Sequence, residues 1–300
     1  MEKHLAPQTR EQIGREKFLE ECYRWSDQYR QTIEMQLKRL CPLFDWSKTY
    51  FTMDQNLAEC VRDAFIRLYE ERLIYRDRRI VNWCSQLQSV VSDIEVDSKE
   101  ILGRQKFTVP GYSKEIELGV LYNVAYRVVG DHEDREIVVS TTRPETILAD
   151  TAVAVHPNDL RYQSLRNQFV QNPFDPHDRL PIVFDESVDP NFGTGAVKIT
   201  PGHDAFDHTL AMKHKLPIRT MLNDQGRVQL PVDHPFHREL NNLHRYDARE
   251  KVLQLLENFG LRRGEQEQQK MVVPVCSRTG DIIEPMVKEQ WFLDTAEMCT

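Results

Sequence analysis

Ser140–Pro157 reads STTRPETILADTAVAVHP. Two adjacent threonines precede an Arg-Pro-Glu-Thr turn, and Thr151–Pro157, TAVAVHP, reads as a strand. A surface loop does not need so many small hydroxyls beside a guanidinium and a carboxylate; a pocket that holds a polar ligand by its edges does. The surrounding segments supply a frame for such a pocket. Upstream, IELGVLYNVAYRVVG (116–130) and REIVVSTT (135–142) are β-rich runs separated by the turn-like DHED. Downstream, LPIVFD (180–185) and GAVKIT (195–200) are further strands. Helices fit 159–168, 204–214 and 246–259, the last with Gly260 at a plausible C′ position. LNDQGRVQL (222–230) is a turn and then a strand. Residues 113–268 therefore read as a mixed α+β domain with a β-rich core.

Before that domain the texture differs. Leu19, Cys22, Trp25, Tyr29, Ile33, Leu37 and Leu40 recur at helical spacing and form one face of a long amphipathic helix. Leu57, Val61, Ala64, Phe65 and Leu68 give a second helix, with Asp54 as its N-cap candidate. RRIVNW (78–83) reads as a strand, so residues 1–112 look like an incomplete α/β unit. Such helices normally pack on strands, and without them they expose apolar surface. The tail, 269–300, returns to short strands and turns.

A second group of residues lies in Phe192–Pro217, FGTGAVKITPGHDAFDHTLAMKHKLP. Gly193 and Gly195 flank Thr194, so the backbone can turn tightly and approach a ligand. Strand alternation puts Lys198 and Thr200 on one face. Asp204 and Asp207 fall on one side of the first turn of the helix that follows, where the helix dipole favours carboxylates. Asp204 also reads as an ordinary N-cap, Lys198 as a solvated strand residue, and Arg143 as part of a plain turn. His203, Asp204, Asp207 and His208 could ligate a metal, but the H-E-x-x-H spacing is not present and no metal site is assigned.

Apolar residues make up 40% of the 300 and charged residues 29%, the balance of a soluble globular protein. No apolar run approaches the ~20 residues of a membrane span, and the start lacks a secretory h-region. Six scattered cysteines form no C-x-x-C pair, which fits a reducing compartment. A net charge of −8 argues against broad nonspecific nucleic-acid binding and leaves room for a local basic groove.

Together, TTRPETILADTAVAVHP and GTGAVKITPGHDAFD resemble the editing domain inserted in class I valyl-tRNA synthetases. DWSKTYFTMD, AFIRLYEERLIYRDRRIVNW, SDIEVD and IIEPMVKEQWF resemble the same family, in the same order. The resemblance covers nearly the whole chain and looks closer to eukaryotic cytosolic forms than to bacterial ones. Leucyl enzymes share the TTRPET-like turn but usually lack the Lys-Ile-Thr; isoleucyl enzymes usually carry histidine where Lys198 stands. One departure is CPLFDW, where the family usually has glycine before the Asp-Trp pair.

The resemblance implies a β-rich editing domain (113–268) inserted into an incomplete Rossmann-type catalytic domain (1–112), with 269–300 returning toward it. It implies hydrolysis of threonyl-tRNA(Val). A valine-sized pocket excludes its hydroxylated isostere only about 10²-fold, so a second site must welcome the hydroxyl and reject the methyl. By resemblance Asp207 holds the substrate's α-ammonium group, and Lys198, Thr200, Asp204 and His203 belong to the pocket around the amino acid. Thr141, Thr142 and Thr146 match the wall that places the ester, and Arg143 and Phe192 lie near the terminal adenosine. No general base is assigned; a water placed by the pocket and the terminal ribose hydroxyl attacks the ester.

No cofactor is expected for this step, whereas ATP and magnesium belong to valyl-tRNA synthesis by the full-length family. The two ATP-handling motifs, H-I-G-H-like and K-M-S-K-S-like, do not occur, so ligase activity is not expected of these residues alone. Expected partners are tRNA(Val), a threonine or valine moiety, and proteins of a synthetase complex, with no membrane. The expected location is the cytoplasm, or alternatively the mitochondrion. A noncatalytic remnant that binds tRNA or protein, and an unrelated metallohydrolase, are the alternatives.

Overall fold

The computed structural model describes residues 10–40, 43–130, 135–267, 270–296 and 298. The DHED turn and the expected boundary at 268/269 lie outside them. Two compact units emerge, Met1–Ile74 and Tyr75–Thr300. The first holds helices α1 (Arg15–Leu40) and α2 (Gln55–Glu70). Their periodicity is as expected, but none of their residues is buried. Trp25, Tyr29, Ile33 and Leu37 instead line an apolar groove with Trp46 and Phe51. Asp54 precedes α2 without capping it; its carboxylate accepts from Phe51 N, at 2.9 Å.

The second unit is β-rich. Its strands are β1 (Ile74–Cys84), β2 (Ser89–Val90), β3 (Val96–Ile101), β4 (Gln105–Thr108), β5 (Glu115–Leu118), β6 (Val120–Arg127) and β7 (Glu136–Thr141). β8 (Ala152–Val155), β9 (Phe169–Asn172), β10 (Asp175–Phe184), β11 (Ala196–Ile199), β12 (Arg262–Glu267), β13 (Met271–Cys276) and β14 (Glu284–Leu293) follow, with helices α3 (Ala205–His214) and α4 (Arg245–Asn258). Compactness does not break at 112/113. β13 pairs antiparallel with β3 from Met271↔Ile101 to Cys276↔Val96, so the segment after 268 pairs with the one before 113.

Two sheets position the site. One has the order β12-β6-β7, the other β11-β8-β10-β9. In the second, β8 pairs parallel with β10 and antiparallel with β11, with Lys198 opposite Val153. Alternation then sorts the side chains. Val153, Val155 and Ala196 face a core shared with Val124, Val139 and the α4 residues Val252 and Leu256. Ala152, Ala154 and Ile199 face Leu210 of α3. Lys198 shares the parity of Ala196 and so points toward the main core, where a bare ammonium would be costly.

One expected helix is missing. Residues 159–168 form only a single 3₁₀ turn, Gln163–Leu165. The Asp159 carboxylate accepts from Arg161 N, and Asn167 adopts a left-handed φ of 61°. Local side-chain bonds of this kind compete with the helical ladder.

Candidate active site

A cavity of about 420 Å³ opens beside β11 and the start of α3. All ten residues selected from the sequence line it: Thr141, Thr142, Arg143, Thr146, Phe192, Lys198, Thr200, His203, Asp204 and Asp207. Its floor is built on the Lys198 ammonium, only 8% exposed. Nζ donates to Thr146 Oγ1 at 2.6 Å, to Thr200 Oγ1 at 2.5 Å and to Asp150 Oδ1 at 3.2 Å. An ammonium has three donors, and all three are used. Asp150, fully buried, also accepts from Thr200 Oγ1 and from the Tyr126 hydroxyl. Burial pushes the Asp150 carboxyl up, against the pull of Lys198, Thr200 and Tyr126.

The hydroxyls set the chemistry of the wall. Thr200 donates to Asp150 and accepts from Lys198; Thr146 donates to Arg143 O and accepts from Lys198. Each oxygen keeps one lone pair, able to accept from a ligand hydroxyl. Thr141 Oγ1 accepts from Arg143 N at 3.0 Å and so fixes the turn.

Asp204 is the N-cap of α3, accepting from Phe206 N at 2.8 Å and Asp207 N at 3.1 Å. Its plain N-cap reading is therefore correct, and it lines the cavity as well. Asp207 is buried, and its Oδ2 accepts from Thr200 N at 2.8 Å. Burial, then the neighbouring Asp204 charge, pushes its carboxyl up to about 7. With Lys198 matched by Asp150, these two carboxylates are the surplus charge of the cavity, which suits a cationic ligand.

Arg143 and His203 are engaged inside the protein. Arg143 Nη2 grips both oxygens of Glu284, at 2.5 and 2.7 Å, while Nη1 donates to His203 O at 2.9 Å. His203 Nε2 accepts from Met221 N at 2.9 Å, which puts the ring proton on Nδ1, 3.1 Å from Glu284 Oε1. With both nitrogens filled, that ring has none left for a metal. Among the described residues no group of three or more His, Cys, Asp or Glu side chains is placed to hold one. Behind Arg143 lies a chain of buried charges of alternating sign. Arg249 pairs with Glu145 at 2.8 Å, Glu145 approaches Arg143 at 3.5 Å, and Glu284 passes the contact to Arg245 at 3.0 Å. Arg245 then meets Asp281 at 3.1 Å.

A family model described as tRNA synthetases class I (I, L, M and V) matches residues 1–300. The chain belongs to the class I tRNA synthetases. It is similar to the valine–tRNA ligase of Homo sapiens, 47% identical over 290 residues, covering 97% of this chain and 22% of that protein. The mitochondrial valine–tRNA ligase of Saccharomyces cerevisiae is 43% identical over 291 residues, covering 97% of this chain and 26% of that one. A solved ternary complex of Agrobacterium radiobacter K84 agnB2 LeuRS with tRNA and LeuAMS superposes at a TM-score of 0.40, with 17% identity, over 85% of this chain and 38% of that one. The chain thus spans about a quarter of the length of the ligases it matches.

Within this class I chain, sequence reading overlooked the partners of the residues it selected. Asp150 stands in the opening stretch itself and is the counter-ion of Lys198. Glu284 lies in Ile-Ile-Glu-Pro-Met, and an acid inside an apolar run is a signal of buried pairing. Arg245 and Arg249 sit four apart on α4, among its buried positions. Phe206 and Lys270, which also line the cavity, carried no signal of their own.

The Gly-Thr-Gly turn is closely packed against its neighbours. Gly193 has φ +56°, and a Cβ there would stand 2.8 Å from Ser140 Cβ. A Cβ on Gly195 would meet Pro190 O at 2.6 Å. Gly193→Ala is expected to cost about 2 kcal/mol, combining left-handed strain with the Ser140 clash. Thermal unfolding should show a midpoint lower by roughly 4–8 °C; an unchanged midpoint would mean that the turn relaxes freely.

Proposed function

We propose that the cavity hydrolyses threonyl-tRNA(Val), the editing step of a valine–tRNA ligase. The observation that carries this reading is the hydroxyl-accepting wall of Thr146 and Thr200, held by the saturated Lys198–Asp150 pair beside Asp207. A threonine side chain can donate its hydroxyl proton to the open lone pairs. Valine offers a methyl there and would leave buried polar groups without a partner.

Asp207 pairs with the α-ammonium group, its charge reinforced by Asp204. Phe192, half exposed at the cavity, offers a face for the terminal base. A water oxygen attacks the acyl carbon, the bond to the ribose oxygen breaks, and that oxygen takes up the proton. Threonine and free tRNA(Val) leave. The protein's part is placement and charge, with no residue serving as general base. ATP and magnesium have no place in this step.

The test is deacylation of threonyl-tRNA(Val) against valyl-tRNA(Val) by the purified 300-residue chain. Threonine should be released at least ~100-fold faster, since a site built to bond a hydroxyl discriminates strongly. Equal rates for the two esters would refute the hydroxyl-reading wall. Binding of tRNA(Val) with no cleavage of either ester would return the chain to a noncatalytic role.

A further inference from the structure

Three cationic side chains line the cavity, Arg143, Lys198 and Lys270. Two are neutralised by buried acids, Lys198 by Asp150 and Arg143 by Glu284. Lys270 differs. Its ion pair is with Glu100, at 2.7 Å, and the two side chains are 58% and 61% exposed. Surface pairs of that kind contribute ~0–1 kcal/mol and exchange readily. Lys270 stands one residue before the first β13–β3 pair, Met271↔Ile101, outside the ladder. The cavity's own surplus charge, Asp204 and Asp207, repels phosphate. An anionic chain that enters needs a free cation, and Lys270 is the one available among the described lining residues. Phe206 and Phe192 add two exposed aromatic faces, 43% and 49% accessible, as single-stranded nucleic acid requires.

We propose that Lys270 binds a backbone phosphodiester of a single-stranded RNA 3′ end whose terminal nucleoside enters the cavity. This rests on the reading of the cavity as an RNA-ester site. On entry the phosphate displaces the Glu100 carboxylate from the ammonium. Lysine serves here as a point charge, which tolerates a sliding backbone.

The experiment measures binding of a fluorescein-labelled single-stranded RNA ending in CCA to the 300-residue chain, by anisotropy across a salt series. Threonyl-adenosine ester, which has no phosphodiester, serves as the catalytic control. Lys270→Ala should weaken RNA binding about fivefold and reduce the slope of log affinity against log salt by ~0.7, the value for one single-strand contact. Glu100→Ala should tighten binding about twofold by removing the competing acid. Cleavage of threonyl-adenosine should be the same in wild type and Lys270→Ala. An unchanged salt slope in Lys270→Ala, or no RNA binding by wild type, overturns the proposal. Failure of the wild type to cleave threonyl-adenosine, with Lys270-dependent RNA binding intact, counts against the hydrolytic reading and leaves Lys270 in its role.

Discussion

Asp207→Asn is expected to lower kcat/KM for threonyl-tRNA(Val) by about 100-fold or more, because it removes one partner of a buried charge pair, worth ~2–5 kcal/mol. The pH dependence makes the assignment specific. In the free protein the Asp207 carboxyl is pushed up to about 7, by burial first and then by Asp204. It must lose its proton to hold an ammonium group. Wild-type kcat/KM should therefore climb about tenfold per pH unit below ~7. It should fall above ~8, where an α-amino group loses its own proton. Asparagine removes the acidic limb. A wild-type profile without that limb would refute the role given to Asp207.

The same carboxyl gives a stability signature of defined sign. Its folded value, about 7, lies above the unfolded ~3.9. The folded state therefore holds the proton more tightly between those values. Stability from this group is fully present below ~4 and is lost as pH rises to about 7, by on the order of 4 kcal/mol. Asparagine, a neutral mimic of the protonated acid, does not suffer that loss. The advantage of Asp207→Asn in thermal midpoint should grow from pH 4 to 7 and then level off. With Asp207 in the proposed role, function and stability pull on it in opposite directions.

The sequence made the cavity legible because strand parity and helix spacing are local rules. Lys198 and Thr200 alternate with apolar partners on one strand, and Asp204 and Asp207 share one helical turn. What local rules cannot supply is who answers a buried charge. Asp150 reaches Lys198 from 48 positions away, and Glu284 reaches Arg143 from 141 positions away. The compact boundary at 74/75 was hidden for a like reason, since the β3–β13 ladder ties residues 96–101 to residues 271–276, a long-range pairing that local patterns do not reveal. The helix expected at 159–168 failed more simply. Asp159 accepts from Arg161 N and Asn167 takes a left-handed φ, so the chain turns there instead of winding into a helix. The face of α1 was read correctly as apolar, yet periodicity alone does not provide a surface to bury it.

Glu284→Gln is expected to be the most destabilising conservative change at the site. Glu284 is 2% exposed and joins Arg143, His203 and Arg245. Burial alone would raise its carboxyl, but Arg143, then His203 and Arg245, hold it well below the usual carboxylate range. Glutamine keeps the shape and removes the charge, so the buried Arg245 guanidinium and the partly exposed Arg143 guanidinium lose the acid between them. Breaking such a pair from one side costs ~3–5 kcal/mol. For a unit of this size the thermal midpoint should fall by roughly 10 °C. The sign with pH is opposite to that of Asp207. A depressed folded value gives stability that is present above the unfolded ~4.3 and is lost as pH falls below it. Wild type should therefore keep most of its lead over Glu284→Gln down to pH ~4 and lose it progressively as pH falls further, which thermal melts at pH 7 and pH ~2 measure. A lead at pH ~2 as large as at pH 7 would mean that Glu284 acts by packing alone. The pocket would follow the charge: once freed, Arg143 no longer pins His203 O, and the wall carrying Thr141 and Thr146 loses its anchor to the β14 segment.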